Sequence, residues 1–175
     1  MAWSFLVSKL TDDLQNLFIQ KKWTLTIAES CTGGLVSSQL TRRAGSSAYF
    51  LGSVVSYANS VKTKLLSVDD ALLKKWGAVS EPVALAMAQN LRKSLGSSWS
   101  LGVTGIAGPT GGSKEKPVGT VWIALASADG SLDARKFNCG NDRATIREWA
   151  AKCALGMLRF KLEGITARLL REQPS

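Results

Sequence analysis

The chain contains no histidine. That absence removes Ser-His-Asp triads, Cys-His pairs and histidine metal sites together. A hydrolase built from this sequence must draw its base from lysine, glutamate, aspartate, tyrosine or an amine. Cysteine is scarce: Cys31, Cys139 and Cys153 form no C-x-x-C pair. An odd count without metal spacing argues against a disulfide framework and against zinc, so no metal or other cofactor is expected. Cys139 and Cys153 read as small core residues. Cys31 is a candidate nucleophile whose better-placed neighbour is Ser30. Long apolar runs are missing too, and nothing approaches the ~20 residues of a membrane span. The stretch MAWSFLVSKLTDDLQNLF meets its acids too early for a secretory signal. A cytoplasmic protein with no membrane partner is expected.

Acid is the minority charge. Lys and Arg number 22 against 13 Asp and Glu, a formal net charge of +9. The excess either meets an anionic partner or is scattered surface lysine. It comes as KK and RR pairs, not as a block of five or six, which leaves a few cations for a phosphate site. The charge and six tryptophans also raise a nucleic-acid protein. Trp149, however, falls on an apolar helix stripe and Trp122 lies in a strand, so both read as core. No nucleic-acid partner is expected.

The length of 175 residues favours one domain over 1–175, with its core at about 5–163 and frayed residues at 171–175. Trp3, Leu6, Leu10, Leu14, Leu17 and Phe18 recur near a 3.6 period and predict a helix over 3–19. Strands are expected at 23–28, 50–58, 98–105, 118–127 and 131–139. The last two, joined by Ala-Asp-Gly, are expected to pair antiparallel. Helices are expected at 33–43, from Asn59 as N-cap to Leu66, at 77–96 with Ser80 as N-cap and Gly96 as stop, and at 141–164. Asp69 is placed to cap a further short helix through Leu73. Ile146, Trp149, Cys153, Met157 and Phe160 mark the buried face of the last helix. The order αβαβααβββα, without repeat or linker, predicts a three-layer α/β/α sandwich with a mixed sheet and an antiparallel hairpin. Ligands in such sheets collect beyond the C-terminal ends of strands, where 29–34 and 105–117 lie.

TIAESCTGG, continuing through Gly34, puts an acid, two hydroxyls, a thiol and two glycines at one strand-to-helix turn. Ser30 there is either a nucleophile beside helix N-terminal amides or, with Thr32, a helix cap. With no histidine, lysine is the obvious base. Lys62 and Lys64 follow the second strand, and spacing does not choose between them or exclude two solvated lysines. Tyr57 ends that strand and faces the same cleft. GVTGIAGPTGGSKEKPVGT is glycine-rich enough to hold an anion, yet it matches neither G-x-G-x-x-G nor the P-loop. A mobile loop is the competing reading. Arg143 opens the last helix, either holding a phosphate or pairing with Asp142 or Glu148.

TIAESCTGGLVSSQLT, FLGSVVSYANSVKTKLL, GAVSEPVALAMAQNLR, GVTGIAGPTGGSKEKPVGTVWIAL and GNDRATIREWA together resemble the CinA C-terminal domain family, which includes stand-alone nicotinamide-nucleotide amidases. The likeness covers roughly residues 5 to 163. It implies an enzyme that hydrolyses the carboxamide of nicotinamide mononucleotide to nicotinate mononucleotide and ammonia, in pyridine nucleotide recycling. It implies Ser30 as nucleophile and Lys62 as base, with Tyr57 and Asn59 in the same Tyr-x-Asn-x-x-Lys pattern. Thr104 and Gly105 match a pocket edge, and Arg143 matches an arginine near the ligand. A serine–lysine pair needs no metal. The implied partner is a phosphorylated nucleotide, and the implied assembly is a homodimer. The same pocket serving as a non-catalytic nucleotide-binding regulatory module is the alternative. Larger members carry an N-terminal nucleotide-processing domain, whose activity is expected to be absent here. In the expected mechanism amides of Cys31, Thr32, Gly33 and Gly34 hold the oxyanion, and Lys62 or the catalytic Tyr57 protonates the departing ammonia. The loop with Gly105 and Gly108 positions the nucleotide alongside Arg143. Glu29 either orients the turn or binds ribose.

Overall fold

The structure, a computed structural model, describes residues 2–140 and 142–164, with side chains described from residue 9 onward. Residues 171–175, Asn141, and the side chains of Trp3 and Leu6 therefore lie outside the described residues.

LTIAE at Leu25–Glu29 is buried at every position, as a run without polar outward positions requires of a central strand. This strand, β1, pairs in parallel with β2 (Phe50–Val55) on one side and β3 (Trp99–Gly105) on the other. Antiparallel β4 (Thr120–Ser127) and β5 (Leu132–Asn138) follow, giving a mixed sheet of order β2-β1-β3-β4-β5. The expected hairpin is β4–β5.

Among the described residues six α-helices cover the two faces: α1 (Ala2–Lys21), α2 (Leu35–Thr41), α3 (Asn59–Leu66), α4 (Asp70–Trp76), α5 (Glu81–Leu95) and α6 (Arg143–Leu162). One face carries the main core, in which Phe18 of α1, Leu40 of α2 and Leu155 of α6 pack on Ile27, Leu101 and Ile123. On the other face Leu66, Leu73 and Met87, from α3, α4 and α5, pack with Ala28. The architecture is a single α/β domain in three layers.

Three helices separate β2 from β3, the middle one being the short helix expected after Asp69. Ser67 takes a left-handed conformation that ends α3, and Asp69 accepts the Ala71 amide to start α4. Asn59 is the first residue of α3, with Ala58 at the cap, so its expected N-cap role is corrected. Ser80 stands at the cap of α5, but its hydroxyl donates to Gly77 O. Trp149 is exposed at 39%, against its expected core position. The buried stripe of α6 runs through Ile146, Ala150, Ala151, Ala154, Leu155 and Leu158, which turns Trp149 outward beneath the Lys152 ammonium.

Candidate active site

β1 ends at Glu29, and the chain must then reverse into α2. Gly33 (φ +60°) and Gly34 (φ +91°) make that turn in the left-handed region, which shortens α2 to begin at Leu35 instead of the expected residue 33. Glu29 closes the turn from inside. Its carboxylate accepts the amides of Gly34 (2.9 Å), Val36 (3.2 Å) and Ser37 (2.9 Å) and the Ser37 hydroxyl (2.6 Å), and it is fully buried. Of its two expected roles, orienting the turn is the one this arrangement performs. The ribose role is corrected, because both oxygens are already satisfied away from solvent.

Ser30 follows directly and opens into a cavity of about 330 Å³. The floor includes Cys31, Thr104 and Gly105; Lys62 and Asn59 come from α3, Ala78 and Val79 from the α4–α5 connection, and Gly108 from the glycine loop. Tyr57 and Arg143 stand at its mouth, both exposed. Thus Ser30, Cys31, Tyr57, Asn59, Lys62, Thr104, Gly105, Gly108 and Arg143 converge from four separate stretches of sequence. Thr32, Gly33 and Gly34 do not line the cavity. Thr32 is fully buried, the Gly33 amide donates to Ser30 O, and the Gly34 amide is held by Glu29. These two glycine amides are engaged and do not serve an oxyanion, which corrects that expectation. Between residues 31 and 37 the Cys31 and Thr32 amides are the ones bound to no backbone or carboxylate oxygen among the described residues; both face the Cys31 sulfur.

Lys62 is 1% exposed, whereas Lys64 lies in solvent. Its Nζ sits 3.1 Å from Ser30 Oγ, 2.7 Å from Ser56 O and 3.5 Å from Tyr57 O. All three partners are neutral oxygens. Burial therefore lowers the amine below the ordinary lysine value of 10.5, with the Cys31 sulfur opposing in part. A neutral amine has two hydrogens and one lone pair. Nζ donates to Ser56 O and Tyr57 O and lies within hydrogen-bond distance of Ser30 Oγ, an arrangement in which the neutral form of the amine has its lone pair available to that hydroxyl. Ser56 is itself fixed, its amide donating to Glu29 O at 2.8 Å.

Cys31 is no rival to Ser30. Burial pushes its thiol up to about 12, and the Glu29 carboxylate adds to the rise. Thr104 spends its hydroxyl on Ala78 O at 2.9 Å, tying β3 to the opposite wall. Gly105 is required by close approach: a Cβ there would stand 2.9 Å from Cys31 Sγ and 2.8 Å from Val121 Cγ2. Arg143 does not pair with Asp142 or Glu148. Its Nη1 donates to Gly108 O (2.9 Å) and its Nη2 to Tyr57 Oη (2.7 Å), while Asp142 caps α6 by accepting the Thr145 amide. The sequence reading missed Ala78 and Val79 on the walls and included Ile106, Ala107 and Thr110 only as part of the glycine loop 105–112. It also missed Arg147, whose Nη2 donates to Thr32 O at 3.0 Å. Arg147 lies one turn after Arg143, and that i, i+4 pair was the available signal.

The CinA C-terminal domain matches residues 7–162. The chain belongs to the CinA C-terminal domain family. A CinA-like protein of Geobacter sulfurreducens is 51% identical over 146 residues, covering 83% of this chain. One from Geotalea uraniireducens is 50% identical over 147 residues, covering 84%. In both cases the chain spans 35% of the relative's length. Among solved structures, the competence/damage inducible protein CihA from Agrobacterium tumefaciens shares 37% identity at a TM-score of 0.86, covering 90% of this chain and 95% of that one. The competence damage-inducible protein A from Klebsiella pneumoniae shares 32% at 0.86, covering 90% and 97%. Among the described residues no helix is long and apolar enough to cross a membrane.

Proposed function

We propose that this CinA-family chain is a nicotinamide-nucleotide amidohydrolase of the serine–lysine type, acting in the cytoplasmic recycling of pyridine nucleotides. The observation that carries the reading is the buried Lys62 amine 3.1 Å from Ser30 Oγ, in a chain without histidine. The neutral amine takes the Ser30 proton as Oγ attacks the carboxamide carbon. The amides of Cys31 and Thr32 receive the oxyanion. As the tetrahedral adduct collapses, Lys62 returns the proton to the departing nitrogen, and ammonia leaves. Water then adds to the Ser30 ester, with Lys62 again as base, releasing the carboxylic acid and restoring the hydroxyl. The Ser56 and Tyr57 carbonyls accept from the amine throughout, so the ammonium formed in each half-reaction has partners in place.

The phosphorylated end of the nucleotide is assigned to the mouth, where Arg143 and the Gly108 loop meet. The Tyr57 hydroxyl accepts from Arg143 and keeps its own proton for a ligand group or the leaving nitrogen. A homodimer completes the proposal. β2 is an edge strand whose Leu51 and Val55 are 49% and 45% exposed, and sedimentation of the purified chain as a monomer would remove that part.

The test is ammonia release from nicotinamide mononucleotide by the wild-type protein and by Ser30→Ala, with EDTA present. Release by the first and none by the second is expected. No release by either, with a nucleotide-dependent rise in melting temperature, would replace the amidase by a non-catalytic nucleotide-binding module.

A further inference from the structure

The turn between β1 and α2 must hold two amides open while its neighbours are bonded shut. The peptide between Thr32 and Gly33 joins the two halves of the turn, its amide donating to Ser30 O at 3.0 Å. Gly33 and Gly34 are consecutive left-handed glycines, so the backbone around them has few steric barriers to rotation. Glu29 binds the amides of Gly34, Val36 and Ser37 and therefore fixes the α2 side of these glycines. On the Ser30 side, the Thr32 carbonyl accepts the Leu35 amide only at 3.3 Å. Its shorter partner is Arg147 Nη2, at 3.0 Å, reaching across from α6. The same guanidinium would stand 3.4 Å from a Cβ at Gly33, so it lies against the hinge itself. It does not line the cavity, so contact with substrate is not its role. α6 is anchored for this task by its Asp142 cap and by Arg143, which binds Gly108 O and Tyr57 Oη.

We propose that Arg147 is a positioning residue of the nucleophile turn, clamping the Thr32 carbonyl so that Ser30 and the Cys31 and Thr32 amides hold one geometry. The proposal rests on Ser30 being the nucleophile. A charge-assisted bond to a carbonyl is among the stronger single hydrogen bonds, and here it adds to the Ser30 and Leu35 backbone bonds that hold the same peptide. Displacing an amide in this turn by about 1 Å costs on the order of 10²-fold in rate.

The experiment compares wild type, Arg147→Met and Arg147→Lys by hydrogen exchange of the amides at 33–37, by thermal melting, and by steady-state ammonia release from nicotinamide mononucleotide. In Arg147→Met we expect faster exchange in the turn. We also expect kcat lower by roughly 10- to 100-fold, KM within about twofold and melting nearly unchanged. Arg147→Lys keeps the charge without the planar fork and restores part of both effects. It also tests the clamp should the methionine variant fold poorly. Unchanged exchange overturns the proposal, and so does a raised KM at unchanged kcat, which would make Arg147 a ligand contact. A wild type that releases no ammonia refutes the amidase reading, while the exchange comparison still decides the clamp.

Discussion

Replacing Lys62 by methionine keeps an unbranched side chain at a position only 1% exposed and removes the amine. Two opposing effects set the change in stability. The Ser56 carbonyl loses a partner at 2.7 Å, and an orphaned buried acceptor costs about 1–3 kcal/mol. Against that, the wild type must keep an amine dehydrated among neutral oxygens, which disfavours its charged form and lowers its pKa from 10.5. Below the folded pKa the amine is charged in both folded and unfolded chains, and the full penalty is present. Between the folded pKa and 10.5 the unfolded chain binds the extra proton, so wild-type stability rises with pH, by at most roughly 1.4 kcal/mol per pH unit. Above 10.5 the penalty is gone. The advantage of wild type over Lys62→Met therefore grows from neutral to alkaline pH, and at the lowest pH it shrinks or reverses. Urea unfolding of both proteins across pH 6 to 10.5 measures this gap. Ammonia release adds a second reading: wild-type kcat/KM climbs through the same lowered pKa, while the variant shows no such climb and is slower by about 10⁴-fold above that pKa, a gap that narrows below it. A gap that is constant with pH, or widest in acid, would show that Lys62 is not held neutral by burial and would refute it as the base.

Gly102→Ala should destabilise the fold by about 3 kcal/mol in denaturant unfolding. The new Cβ would collide with Ala84 O and stand 2.9 Å from Ala88 N, so the α5 backbone itself has to move. A loss under ~1 kcal/mol would contradict that close approach. Cys31, with its thiol pushed up to about 12, should resist iodoacetamide at pH 8 in the native protein and react on unfolding. Rapid native labelling, followed by mass spectrometry, would contradict the environment described for the turn.

The sheet and its hairpin were legible because their signals are local: unbroken apolar runs for the inner strands and Ala-Asp-Gly between β4 and β5. Ser30 and Lys62 were singled out by residue type and family pattern, yet nothing local distinguished Lys62 from Lys64. That choice depends on the rotation of α3, and hence on Leu66 packing against Met87 and Leu91 of α5, a long-range fact. Glu29 was read as a possible ribose ligand because a carboxylate beside a nucleophile looks functional in one dimension. In three dimensions it occupies the amides of the helix that follows. Trp149 failed for a related reason. A tryptophan at helical spacing reads as core, but alanines at 150, 151 and 154 let α6 lie close to the sheet and turned the larger ring out.

The capping of α2 also constrains where an anion can sit. A helix N-terminus after a parallel strand is the usual phosphate position in α/β sheets. Here that position is filled by the protein's own Glu29, whose four bonds consume the amides a phosphate would take. An approaching phosphate would meet a buried carboxylate where it would otherwise find the Gly34, Val36 and Ser37 amides. On the proposed function, the anionic end of a nucleotide would be directed away from Ser30, toward the exposed Arg143 and the Gly108 loop at the mouth. The neutral carboxamide is left to face the lysine–serine pair. That division keeps negative charge away from Lys62, whose usefulness as a base depends on an environment that does not hold it protonated.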